Sequence, residues 1–210
     1  YLTQAGFSPF RVDVQTGDSV PISLHPEVMW LPALSRDGET IFYQAVFRDP
    51  KRYCVMVRNL ETGKDQELYR AVDPAHFASW LTLSPDGRHL AFVVAEDGVQ
   101  ALKVMSAAGG ETRDVLRGSQ MPFCEAPIAW APDGASLIFI KQLGPAPNSK
   151  TELWSISVQG GEPRKLGLAV EGMIGVSIHP DGRHIAFTQV RNCDEVWAIE
   201  NFLPPAKASK

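Results

Sequence analysis

Residues 83–92 read LSPDGRHLAF and residues 178–187 read IHPDGRHIAF, nearly the same ten residues written twice, 95 positions apart. A segment copied at a fixed spacing constrains the fold more than any single motif, because each copy must build the same structural unit. The Asp-Gly at its centre recurs as SRDG (35–38), SPDG (84–87), APDG (131–134) and HPDG (179–182), so that Asp37, Asp86, Asp133 and Asp181 are 49, 47 and 48 residues apart. A second marker keeps phase with the first: QTGD (15–18), ETGK (61–64), AGGE (108–111) and QGGE (159–162), at steps of 46, 47 and 51.

Each unit reads as four short strands. In residues 77–118, SWLTLS is strand A, HLAFVVA strand B, ALKVMS strand C and TRDVL strand D, each short and rich in residues that suit a pleated sheet. Pro before Asp-Gly presets φ, Asp bonds the backbone ahead of it and Gly supplies a positive φ, so A and B are joined by a tight turn. The Gly of the second marker joins C to D in the same way. A lone four-stranded sheet leaves both faces wet, so the copies must stack. A period of about 48 residues fits the blade of an all-β propeller.

With the blade motif in view, the chain resembles the bacterial WD-repeat-like propellers related to TolB, whose blades carry S-P-D-G followed by a hydrophobic-Ala-Phe step. SPDGRHLAF, APDGASLIF and HPDGRHIAF carry the resemblance; Arg36 stands for Pro in the first copy and His179 for Ser in the last. The motif specifies a blade and no chemistry. The copies divide the chain into a partial blade with strands B to D (1–27), three full blades (28–72, 77–118 and 125–169), a partial blade with strands A to C (172–203) and a polar tail (204–210). That is an incomplete ring. Tyr1 falls inside a strand B, so the chain reads as the C-terminal part of a longer protein with further blades upstream.

Composition narrows the partners. The formal charge of −4, from 24 acidic and 20 basic residues without blocks, offers no footprint for a phosphate backbone, so no nucleic acid is expected through this chain. No window reaches the roughly 20 apolar residues of a membrane span, so no membrane insertion is expected. Cys54, Cys124 and Cys193 are far apart and lack metal-ligand spacing, and read as ordinary thiols.

The sequence carries no nucleophile elbow, zinc-protease helix, phosphate loop or calcium loop. The innermost strands, WLPAL (30–34), SWLTL (79–83), PIAWA (127–131) and MIGVSI (173–178), contain no Asp, Glu, His or Cys, the groups a channel metal or general base requires. No catalytic residue, cofactor or metal ligand is therefore assigned. His89 and His184 hold equivalent places two blades apart, too far to share an ion, and read as turn-flanking residues. Trp154 and Trp197 read as packing between blades.

The candidate binding face is the end of the blades that carries D-to-A connections and B-to-C turns. It gathers His25, Trp30, Arg48, His76, Trp80 and Arg191, with Lys51, Arg52, Asp49 and Asp194 around them. The expected function is a non-catalytic binding or sensing propeller with a protein or peptide partner. The resemblance implies a regulator with an upstream kinase or winged-helix domain, or a TolB-like periplasmic docking protein. The alternative is the substrate-gating propeller of a prolyl-oligopeptidase-like serine peptidase; a lone propeller enzyme with a channel metal is a third reading. Exposed apolar faces on the partial end blades predict self-association.

Overall fold

A computed structural model describes residues 9–24, 28, 32–72, 75–77, 81–118, 128–144 and 150–189. All of its regular structure there is β. A two-stranded sheet comes first, β1 (Phe10–Val12) and β2 (Ser19–Pro21). The next sheet, in spatial order, is β3 (Ala33–Leu34), β4 (Thr40–Arg48), β5 (Lys51–Asn59) and β6 (Asp65–Val72). The second blade holds β7 (His76–Phe77), β8 (Thr82–Leu83), β9 (His89–Glu96), β10 (Val99–Ser106) and β11 (Thr112–Gly118). The third is β12 (Ala129–Trp130), β13 (Ser136–Gln142), β14 (Lys150–Ser157) and β15 (Arg164–Glu171), and β16 (Met173–Ile178) pairs with β17 (Ile185–Gln189) in a last sheet. Every pairing is antiparallel, and the strand-A elements β3, β8, β12 and β16 adjoin one another in turn, as the inner strands of successive blades do. The described sheets form an open arc of blades.

The turn expected between strands A and B is built from its own residues. In the second blade Ser84 Oγ donates to Asp86 Oδ1 at 2.5 Å, which also accepts the Arg88 amide at 3.0 Å, while His89 N donates to Ser84 Oγ at 2.9 Å. Gly87 takes φ 74°, a region closed to most side chains. The first copy repeats these bonds, Ser35 Oγ to Asp37 Oδ1 at 2.6 Å and Thr40 N to Ser35 Oγ at 2.9 Å. Arg36 therefore replaces Pro without loss of the turn.

Both faces of the middle blade are buried. Along β9 the side chains alternate, as strand geometry dictates: Leu90, Phe92 and Val94 pack with Phe42, Val55 and Ala71 of the first blade. Ala91 and Val93 pack with Ile128, Trp130, Leu137 and Phe139 of the third. Each of the larger of these side chains removed from water is worth about 1.5–3 kcal/mol. The stacking required by the repeat is thus where the core sits. Trp154 packs against this second interface, in agreement with its reading as a packing residue; Trp197 lies outside the described residues.

Three features of the fold have no counterpart in the sequence reading. The D-to-A connection adds its own pairing to strand B: Phe77 opposite Val94 in the second blade, and Val28 opposite Ala45 in the first. Each complete blade also shifts register between strands C and D, at Val55/Met56, Leu102/Lys103 and Glu152/Trp154. Such bulges sharpen the twist of the outer strand. Finally, the C-to-D turns lie against the preceding blade: a Cβ on Gly109 would stand 3.3 Å from Leu68, and one on Gly160 would stand 3.5 Å from the Val115 carbonyl. Arg113 ties that second junction, donating to Gln159 Oε1 at 2.6 Å and to the Val158 carbonyl at 2.5 Å.

Candidate functional site

The hairpin joining β4 to β5, with Arg48 opposite Lys51, brings three cations to one end of the first blade. Because strand partners face each other, Phe47 lies opposite Arg52, and the Arg52 guanidinium sits over the Phe47 ring, 4.4 Å from its centroid. Lys51 Nζ lies 5.5 Å from the centroid of Tyr53. Tyr53 in turn meets the second blade: its ring is 6.2 Å from His76 and 6.3 Å, edge-on, from Phe77. Beneath them Phe77 and Phe92 make a T-shaped contact at 5.6 Å, and Tyr69 lies 5.0 Å from Phe92. A charged rim thus rests on an aromatic floor that crosses the boundary between two blades.

Cations held over rings gain about 0.5–1 kcal/mol each at exposed sites and lose rotamer freedom before a partner arrives. Arg and Tyr presented in this way are the residue types that anchor protein interfaces. Of the residues assigned to this face from sequence, Arg48 and His76 are exposed and belong to this rim. His76 is a residue of strand β7 rather than of an open connection, which fixes its ring beside Tyr53. His25, Trp30, Trp80 and Arg191 lie outside the described residues, as do Asp194, Cys124 and Cys193. Sequence reasoning missed Tyr53 and Phe47. The run FRDPKRY (47–53), cations bracketed by aromatics, was the available signal.

The opposite end of the blades carries the A-to-B turns, and the last of them brings two imidazoles to its Asp. In the last sheet His179 occupies the place of Ser84, and His184 the place of His89. His184 Nδ1 lies 2.6 Å from Asp181 Oδ2, His179 Nδ1 lies 3.1 Å from the same oxygen, and the rings meet edge-to-face at 5.9 Å. The Asp181 carboxyl is held below the ordinary carboxylate range, first by the Arg183 amide and then by the imidazole of His184. The repeat matches His184 with His89 in another blade, whereas the partner it meets is the imidazole five residues away in its own turn.

Other charged groups explain themselves. Cys54 is buried, and its thiol is pushed up to about 11 by burial and by Glu67, so it is no nucleophile near neutral pH. Glu152, also buried, is held as a carboxylate first by Lys165 across the strand pair, and it accepts Trp154 Nε1 at 3.1 Å. These are packing arrangements within strands C and D. Among the described residues, β3, β8, β12 and β16 bring no acid, imidazole or thiol to the inner strands, and Trp130 Nε1 donates to the Thr82 carbonyl at 3.4 Å from one to the next.

Known proteins agree with this architecture. The TolB β-propeller domain model matches residues 10–202. Among solved structures, TolB from Acinetobacter baumannii superposes with a TM-score of 0.67 at 17 % identity, covering 86 % of this chain and 42 % of that one. The β-propeller domain of the Trilobed protease from Pyrococcus furiosus, described as an open velcro topology, superposes at 0.55 with 15 % identity, covering 80 % and 51 %. In sequence, 62 residues are 40 % identical to the uncharacterized peptidase YuxL of Bacillus subtilis (strain 168), spanning 29 % of this chain and 9 % of that protein. The chain thus spans less than half of the TolB chain and a small part of the peptidase. With the repeat, the blades and the family match over most of its length, this chain belongs to the TolB β-propeller domain family.

Proposed function

We propose that this chain is a non-catalytic docking propeller, part of a larger bacterial signalling or TolB-like protein, and that its rim at Arg48, Lys51, Arg52, Tyr53 and His76 receives an acidic segment of a protein partner. The observation that carries this reading is the run of cation–ring and ring–ring contacts from Arg52 to His76 across the blade boundary. A locally cationic, aromatic surface on a chain of net charge −4 complements an acidic strand or loop. Among the described residues the inner strands bring no acid–base group, which supports a binding role over a catalytic one.

Peptides selected from a random display library against the chain test this. They should be richer in Asp and Glu than the starting library, and Lys51→Glu with Arg52→Glu should weaken their binding at least about tenfold while the melting transition stays in place. Ligands without acidic enrichment, or binding indifferent to the charge reversal, would contradict the reading.

A second reading rests on the 40 % identical stretch shared with a Bacillus peptidase: a substrate-gating propeller beside a serine hydrolase domain. The full-length gene product then reacts with a fluorophosphonate probe. A product that leaves the probe untouched sinks this alternative.

A further inference from the structure

We propose that the turn formed by His179, Asp181 and His184 binds a divalent first-row transition metal ion of the Zn2+ class. The four A-to-B turns provide the comparison. At the position two before Asp, the copies carry Ser35, Ser84, Ala131 and His179; at the position three after it, Thr40, His89, Ser136 and His184. In the first two turns the serine hydroxyl bonds Asp Oδ1 and the amide ahead, closing the turn on itself. Only the fourth copy has an imidazole at both places, and the two converge on one carboxylate.

The turn itself orients that carboxylate. Asp181 Oδ1 accepts the Arg183 amide at 2.8 Å and the His184 amide at 3.2 Å, which leaves Oδ2 to face the two rings. The backbone beneath is fixed, with Gly182 N bonded to the His179 carbonyl at 2.9 Å and Gly182 lying against Pro132 of the third blade. His89, the equivalent of His184, shows that the convergence is not forced by the turn: its ring lies 6.4 Å from Trp130.

Asp181 Oδ2 is the point on which both rings converge, with His184 Nδ1 at 2.6 Å and His179 Nδ1 at 3.1 Å. A ring nitrogen of each histidine and a carboxylate oxygen lie within 4.8 Å of one another, the span of a small coordination shell. Two imidazoles and one carboxylate suit Zn2+, Co2+ or Ni2+, whereas Mg2+ and Ca2+ prefer all-oxygen sets. On binding, the contact between His184 Nδ1 and Oδ2 gives way to one bond from each to the metal, the neutral ring carries its proton on the nitrogen that faces away from the ion, and water completes the shell on the exposed side.

Calorimetric titration of the chain with Zn2+ tests the assignment, with Mg2+ as the second probe. One Zn2+ per chain should bind saturably and Mg2+ should not. His179→Ala and His184→Ala should each weaken Zn2+ by roughly tenfold or more, since even losing an outer partner of a ligand costs about 10–100-fold. His89→Ala should leave it unchanged, and all three residues are exposed, so the variants keep the fold. No saturable Zn2+ binding, or equal binding by the H179A/H184A double variant, would overturn the proposal.

Discussion

The hairpins at 83–92 and 178–187 share a sequence almost residue for residue, yet their strands B have opposite surroundings. Leu90 and Phe92 are each 0 % exposed, while their equivalents Ile185 and Phe187 are 37 % and 42 % exposed and all five residues of β17 lie at the surface. The two turns share their backbone, with Gly87 N bonded to the Ser84 carbonyl and Gly182 N to the His179 carbonyl and a positive φ at each glycine, so the difference in burial arises beyond the hairpin. β9 has a described blade against each face, whereas the sheet of β16 and β17 packs on the third blade through Met173 and Val176. A blade supplies its own hydrogen bonds, but its neighbours supply its core.

The widest contrast should come from truncating the same phenylalanine in the two places. Phe92→Ala is expected to cost about 3–5 kcal/mol in denaturant unfolding, because it opens a cavity between two blades. Phe187→Ala should cost less than about 1 kcal/mol. Equal losses would mean that burial by neighbours is not what separates the two hairpins.

A smaller effect is expected at the C-to-D turns. Gly109 has φ 94°, and a Cβ there meets Leu68 of the preceding blade, so Gly109→Ala should cost about 1–2 kcal/mol from backbone strain and displace a Leu68 methyl. Gly17, φ 80° in the turn between β1 and β2, would meet nothing within 4 Å. Gly17→Ala should leave the main unfolding transition of the central blades where it is, as measured by calorimetry. A matching drop would show that β1 and β2 unfold together with those blades.

The smallest change belongs to the A-to-B turn itself. Ser84→Ala removes one hydroxyl and makes this turn resemble the third blade, which has Ala131 at that place, for a cost of about 1 kcal/mol. The Ser84 hydroxyl is the first cause holding the Asp86 carboxyl below its ordinary range. A carboxylate whose folded-state pKa is lowered adds stability above its unfolded value, near pH 4, and that stability is lost as pH falls through the folded value. Acid unfolding of the Ser84→Ala chain should therefore show a weaker dependence on pH below about 4 than that of the unaltered chain.

Much of the fold was legible because blades are made of local signals. Asp-Gly turns at a nearly constant step, runs of β-formers and the glycines of the second marker all act within a few residues, and they build the antiparallel sheets of the described blades. What escaped needed contact between copies. The pairing of Phe77 and Val28 with strand B leaves only one apolar residue in a loop, without periodicity, and of the register shifts between strands C and D only that of the third blade has a glycine, Gly167, to mark it. The candidate rim was half legible. Topology alone placed Arg48 and His76 at the same end, but that Tyr53 bridges them depends on the stacking of two blades. His179 and His184 are five residues apart in plain view, and only the turn geometry makes them neighbours.

Amide hydrogen exchange across the chain tests most directly the claim that each blade is stabilised by the blades beside it. Strands β9, β10 and β13, flanked by interfaces, should exchange slowest and in one cooperative step, β4 and β14 next, and β1, β2 and β17 fastest. Uniform protection from β1 to β17, or protection in β17 equal to that in β9, would contradict it.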